Sequence, residues 1–129
     1  MTAEYARDLW QRAENALKSA EALLTISGDD AASRAYYAAF DAVSAAFVLQ
    51  GKTFTKHSAV RASVHRDWVQ MGLWPKDLGK SFDSLWELRD LGDYGGDEHV
   101  EEEDAIKAVE AAKRILESIR TMCPDLMKG

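Results

Sequence analysis

At 129 residues the chain fits one domain, 1–129, and a domain of that size buries about two-thirds of the surface its unfolded chain exposes. Its 16 Lys and Arg against 22 Asp and Glu leave a net charge of -6, which opposes the broad phosphate neutralisation that non-specific nucleic-acid binding needs. A single cysteine, Cys123, excludes an internal disulfide. With no secretory leader pattern and no apolar run long enough for a bilayer, the chain is expected to be cytoplasmic and to have no membrane partner.

Two prolines, abundant alanine and the absence of alternating β-branched runs predict an all-α protein. The first helix is expected from about Thr2 to Ile26, with Leu9, Ala13, Ala16, Leu17, Ala20 and Leu24 on one stripe, Thr2 as its cap and Gly28 as its end. Asp29 or Asp30 then caps a second helix, about Ala31 to Leu49. It is apolar or small on nearly every side and so belongs at the centre of a bundle. A third, from about Lys56 to Met71, offers the narrow stripe Val60, Val64, Trp68 and Met71, which suits the edge of the bundle.

Pro75 is compatible with a first helical turn, so the fourth helix is expected from about Pro75 to Leu91, burying Leu78, Phe82, Leu85, Trp86 and Leu88. A mobile stretch, Gly92 to His99, follows. The acidic residues Glu101 to Asp104 suit the positive end of a last helix, about Glu101 to Met122, with Ile106, Val109, Ala112, Leu116 and Ile119 as its core stripe. The expected architecture is an up-and-down helical bundle of four long helices and a shorter one.

Polar groups concentrate where the fourth helix ends: Arg89, Asp90, Asp93, Tyr94 and His99, among the glycines Gly92, Gly95 and Gly96. Glycine allows close approach of backbone to a ligand, and it equally serves to stop a helix. If the loop folds back, His99 reaches Arg89, and an imidazole with an ordinary pKa near ~6.5 moves protons at neutral pH. Otherwise Arg89 pairs with Asp93 or Asp90, Tyr94 covers the end of the core, and His99 stands in solvent. Arg34, Lys52, Lys56, Arg61 and Arg66 form either a local basic patch for RNA or a solvated face.

Other chemistry finds little support. His57 and His65 are eight apart with no ligand partners at helical spacing, so no metal is expected. Ser33, Ser44 and Ser58 lack an ordered base and acid, and the glycines after the fourth helix lack the Lys-Ser/Thr end of a phosphate loop. Trp10, Trp68, Trp74 and Trp86 fall on or beside helical stripes, which assigns them to packing rather than base stacking.

The most specific stretch is Ser33-Arg34-Ala35-Tyr36-Tyr37-Ala38-Ala39-Phe40-Asp41-Ala42, in which Ala35, Tyr36, Ala39, Phe40, Val43 and Phe47 share a helix face beside Arg34, Tyr37 and Asp41. Together with Leu88-Arg89-Asp90-Leu91-Gly92-Asp93-Tyr94, and with Thr55 to Val60, it resembles the HEPN domains. These are small helical bundles named for their occurrence in higher eukaryotes and prokaryotes. The resemblance is to small stand-alone prokaryotic members and runs from the second helix to the last. It implies a homodimer encoded beside a minimal nucleotidyltransferase, the two acting as a toxin and antitoxin pair.

Active members are ribonucleases that need no metal or cofactor. An arginine stabilises charge developing on the phosphate and a histidine moves protons, two copies of the motif meeting across the dimer. Arg89-Asp90 matches the opening of that motif, and His99 follows after nine intervening residues, a longer interval than the family's. The resemblance thus implies Arg89 and His99 as catalytic residues, with Arg34, Tyr37, Asp93 and Tyr94 binding RNA or a nucleotide. Its alternative is a non-catalytic helical module that binds a nucleotide or the partner enzyme, with Tyr37 a possible acceptor of nucleotide transfer.

Overall fold

A computed structural model describes residues 2–128. Its long helices are α1 (Thr2–Leu23), α2 (Gly28–Leu49), α4 (Lys76–Tyr94) and α5 (Glu102–Met122). Between them α3 (His57–Ser63) runs directly into a π-helical stretch, Val64–Val69, and a 3₁₀ turn, Pro124–Met127, closes the fold. No strand is present among the described residues. The protein is an all-α bundle of four long helices and a shorter one.

The alanine spacing of α2 explains its position. Ala31, Ala32, Ala35, Ala38, Ala39, Ala42, Ala45 and Ala46 are all fully buried, so neighbours approach it closely from several sides. It packs against α1, α4 and α5. Phe47 stacks on Trp68 with ring centroids 4.4 Å apart, and Trp68 meets the edge of Trp74 at 5.0 Å. Trp10, Trp68 and Trp74 are core residues, while Trp86 is half-buried.

Several boundaries differ from the expected ones for local reasons. The first helix stops at Leu23, and Ser27, not Asp29 or Asp30, caps α2, its Oγ accepting a hydrogen bond from Asp30 N at 3.1 Å. Gly28 opens α2 instead of ending α1, and a Cβ there would overlap the carbonyl oxygen of Val100. Thr2 lies within the first turn of α1, and Pro75 is the residue before α4. In the third segment Gln70 N donates to His65 O at 2.9 Å, five residues back, which widens the helix and swings Met71 outward to 74% exposure. Ile106, expected in the core, is 41% exposed because α5 turns Ala105, Ala108 and Val109 inward instead.

The change that matters most for the site lies at the end of α4. The helix does not stop at Leu91 but continues to Tyr94, so Gly92, Asp93 and Tyr94 are helical. Gly92 makes this possible. A Cβ at that position would stand 3.0 Å from Asp29 O and 3.2 Å from Asp29 Cα, so α4 and the first turn of α2 touch backbone to backbone. A small apolar cluster of Ala31, Ala32, Val100 and Ala105, flanked by Leu88 and Leu91, fastens this corner.

Candidate functional site

Arg89 projects from α4 into a cage of aromatic rings. Its guanidinium carbon lies 4.9 Å from the centroid of Trp86, 5.6 Å from Tyr37, 5.6 Å from Tyr94 and 5.7 Å from Tyr36. Helical spacing builds part of this, since Trp86 precedes Arg89 by one turn and Asp93 follows by one turn. The tyrosines at 36 and 37 come from α2, carried there by the close packing of that helix on α4.

The Arg89 side chain is 12% exposed. One terminal nitrogen donates to Tyr37 Oη at 3.0 Å. Nε stands 3.3 Å from Asp93 Oδ2 without hydrogen-bond alignment, and is buried with no acceptor. Burial works against the charge, but the Tyr37 hydrogen bond and the negative potential of the Tyr37, Tyr94 and Asp93 oxygens outweigh it, so the guanidinium is held firmly protonated. Arg34 stands 5.0 Å from the same Tyr37 ring, is exposed, and forms no ion pair among the described residues. Tyr94 is 72% exposed at the rim.

Behind the cage lies His57. Its Nδ1 shares a 2.8 Å hydrogen bond with Tyr36 Oη, and its ring stacks on Phe40 at 4.0 Å. Burial, and then the nearby Arg89 charge, hold this imidazole below its ordinary pKa and therefore neutral. Burial likewise drives the Tyr36 phenol upward, so it stays neutral.

His99 belongs to a different contact. Its Nδ1 is 2.7 Å from Asp29 Oδ2, while Val100 N donates to Asp29 Oδ1 at 2.6 Å. The Val100 hydrogen bond, then the one with His99, hold the Asp29 carboxyl below the usual range. Arg34, Tyr37, Arg89, Asp93 and Tyr94 thus gather at one place, and His99 is tied to the N-terminus of α2. Lys52 and Arg66 both pair with Asp67, at 2.9 Å each, and Arg61 pairs with Asp83 at 3.3 Å, so these residues do not join Arg34 as free cations. Tyr36 and Trp86 are walls of the cage, and His57 the group behind it, that the motif reading passed over; the one-turn spacing of Trp86 and Arg89 was the available signal. Among the described residues no three His, Cys, Asp or Glu side chains converge as a metal site.

The site is thus an arginine of α4 caged by consecutive tyrosines of α2 in an all-α bundle. Residues 6–122 match the HEPN domain, and a UPF0332 protein of Thermotoga maritima is 36% identical over 124 residues, 95% of this chain and 94% of the relative. The chain belongs to the HEPN family. No helix among the described residues is long and apolar enough to cross a membrane.

Proposed function

We propose that this protein is the HEPN component of a prokaryotic two-gene toxin–antitoxin module, a homodimer working with a minimal nucleotidyltransferase, and that the face bearing Arg34, Tyr37, Arg89 and Tyr94 binds a nucleotide or an RNA phosphate. The observation that carries this is the sharing of the Tyr37 ring by two guanidiniums, one enclosed and one exposed. Arg34 is free to pair with a phosphate, Tyr94 offers an open ring for a base, and Arg89 fixes Tyr37 between them. Because Arg89 is enclosed by its own chain and donates to Tyr37, its role in this reading is to position Tyr37, and binding requires no chemistry.

The ribonuclease reading rests on a separate observation, the Asp29–His99 pair. A carboxylate holding Nδ1 orients an exposed imidazole as a proton carrier. Cleavage then needs Arg89 of one subunit and His99 of the other at a shared cleft.

One set of measurements separates the two. Binding of labelled single-stranded RNA and of ATP, together with RNA cleavage, is measured for wild type, Arg34→Ala and His99→Ala. Loss of binding in Arg34→Ala with no cleavage by wild type supports the binding module. Cleavage by wild type that His99→Ala abolishes supports the nuclease. If neither ligand binds, and the protein neither dimerises nor co-purifies with the nucleotidyltransferase encoded beside it, the proposal fails.

A further inference from the structure

Two rows of polar side chains meet on the α1 side of the Arg34–Tyr37 face. On α2, Arg34, Tyr37 and Asp41 follow one another at steps of three and four; on α1, Arg12, Asn15 and Ser19 do the same, so each set shares one side of its helix. All six line one open cavity of about 420 Å³, a groove between the two helices. Only residues 24–27 join α1 to α2, so the helices run antiparallel, with Arg12 at the Asp41 end of the groove and Arg34 at the other. Asp41 follows Arg34 by seven residues, a helical rise of about 10 Å.

The groove is rich in donors that the chain itself leaves available. Arg34 forms no ion pair among the described residues, and Arg12 reaches only the exposed Asp8, at 3.7 Å and one turn back. Tyr37 Oη accepts from Arg89, which leaves its own proton for another acceptor. Asn15 Oδ1 accepts from Gln11 at 3.3 Å, which leaves the amide N–H groups to donate. Against these stands one acid, Asp41, on which Arg12 and Arg34 both act as neighbouring charges. Two guanidiniums to one carboxylate favour an anion, and guanidiniums at opposite ends favour one whose charge is spread along its length.

We propose that the α1–α2 groove binds linked phosphate groups, one at Arg34 and another at Arg12, so that the ligand carries at least two, as a nucleoside polyphosphate or an RNA strand does. This rests on the function proposed for the Arg34–Tyr37–Arg89 face and extends that face onto α1. Arg12 becomes its second phosphate-binding residue. Asp41 adds a pH dependence. Facing it are Arg12 and Tyr5 of α1, Arg34 and Tyr37 of α2, and Lys52 of the loop after α2. Burial pushes its carboxyl up to about 6 against the pull of Arg12 and then Arg34. Above that value the carboxylate competes with a phosphate for Arg12, and below it the competitor is neutral, so Asp41 weakens binding as pH rises.

Binding of AMP, ATP and an oligouridylate to the full chain is measured by calorimetry at constant ionic strength. The proteins are wild type, Arg12→Ala, Arg34→Ala, Asp41→Asn and, as a control for the loss of one exposed positive charge, Lys107→Ala on α5. The expected result is that ATP or the oligouridylate binds at least about tenfold tighter than AMP, that each arginine variant loses about tenfold or more, and that Lys107→Ala stays within about twofold of wild type. Asp41→Asn binds several-fold tighter than wild type at about pH 7.5 and equally at about pH 5, a ratio that cancels the ligand's own titration. Whichever probe shows these effects tells a polyphosphate from an RNA strand. Loss in Arg34→Ala with binding kept in Arg12→Ala overturns the groove and leaves the face itself standing. Equal losses in Arg12→Ala and Lys107→Ala, no preference over AMP, or no tightening in a folded Asp41→Asn overturns it as well. If none of the three ligands binds wild type, the reading of the face and its extension fall together. Should Asp41→Asn fail to fold, the comparison of Arg12→Ala with Lys107→Ala decides by itself.

Discussion

Removing a single oxygen from Tyr37 tests the centre of the candidate site. Tyr37→Phe keeps the ring that faces Arg34 and Arg89 and deletes only the acceptor of the 3.0 Å hydrogen bond from Arg89. The Arg89 side chain is 12% exposed and its Nε already lacks an acceptor, so water cannot readily replace the lost partner. A hydrogen bond to a charged group contributes about 1.5–3 kcal/mol, and stranding a buried donor carries a cost of similar size, so Tyr37→Phe should destabilise the fold by about 2 kcal/mol. With a urea m-value of about 2 kcal/mol per molar, the unfolding midpoint falls by about 1 M. Arg89→Met removes the same bond from the other side, and the double variant isolates it, with an expected coupling of about 1–2 kcal/mol. A loss below about 0.5 kcal/mol in Tyr37→Phe, with coupling near zero, would refute the caged arginine and leave Arg89 a solvated side chain.

Three further outcomes follow from particular contacts. Gly92→Ala gains about 1 kcal/mol of helix propensity but forces a Cβ against the Asp29 backbone, where crowding costs about 1–3 kcal/mol; calorimetry should show a net loss of about 1 kcal/mol, and a more stable variant would contradict the backbone contact. Asp41 is raised from 3.8 to about 6 by burial, so the folded state holds its proton longer than the unfolded chain and stability falls as pH rises across that window; Asp41→Asn should therefore be about 2 kcal/mol more stable than wild type at neutral pH and no more stable near pH 4. Asp29 is shifted the other way, so its contribution is complete above 3.8 and is lost as pH falls through its lower folded value; Asp29→Asn should be less stable than wild type at neutral pH, with the gap closing in acid melts.

The helical periodicity was legible because burial follows it closely. On α2, Ala35, Tyr36, Ala39, Val43 and Phe47 are all fully buried, and Phe40 is half-buried. Periodicity assumes a regular helix, however, and failed where the backbone departs from one, as the π-helical stretch turned Met71 outward; on the regular α5 the buried face begins at Ala105 and Ala108, which leaves Ile106 in solvent. Glycine misled for a related reason. Gly28 and Gly92 look like stops in a string of letters, whereas in the fold each is a place where a second chain segment passes too close for a side chain.

The linear pattern alone determined the all-α class and the central position of the alanine-rich second helix, because helix formation and amphipathic burial depend on neighbours three and four residues away. Tertiary structure alone decided that Asp29 takes His99, that His57 stands behind the arginine cage, and that Asp41 is left facing a cavity. The Asp29–His99 pair joins residues 70 positions apart and the Arg89–Tyr37 hydrogen bond residues 52 apart, according to how helices cross, and crossing is set by the shapes of whole packed faces.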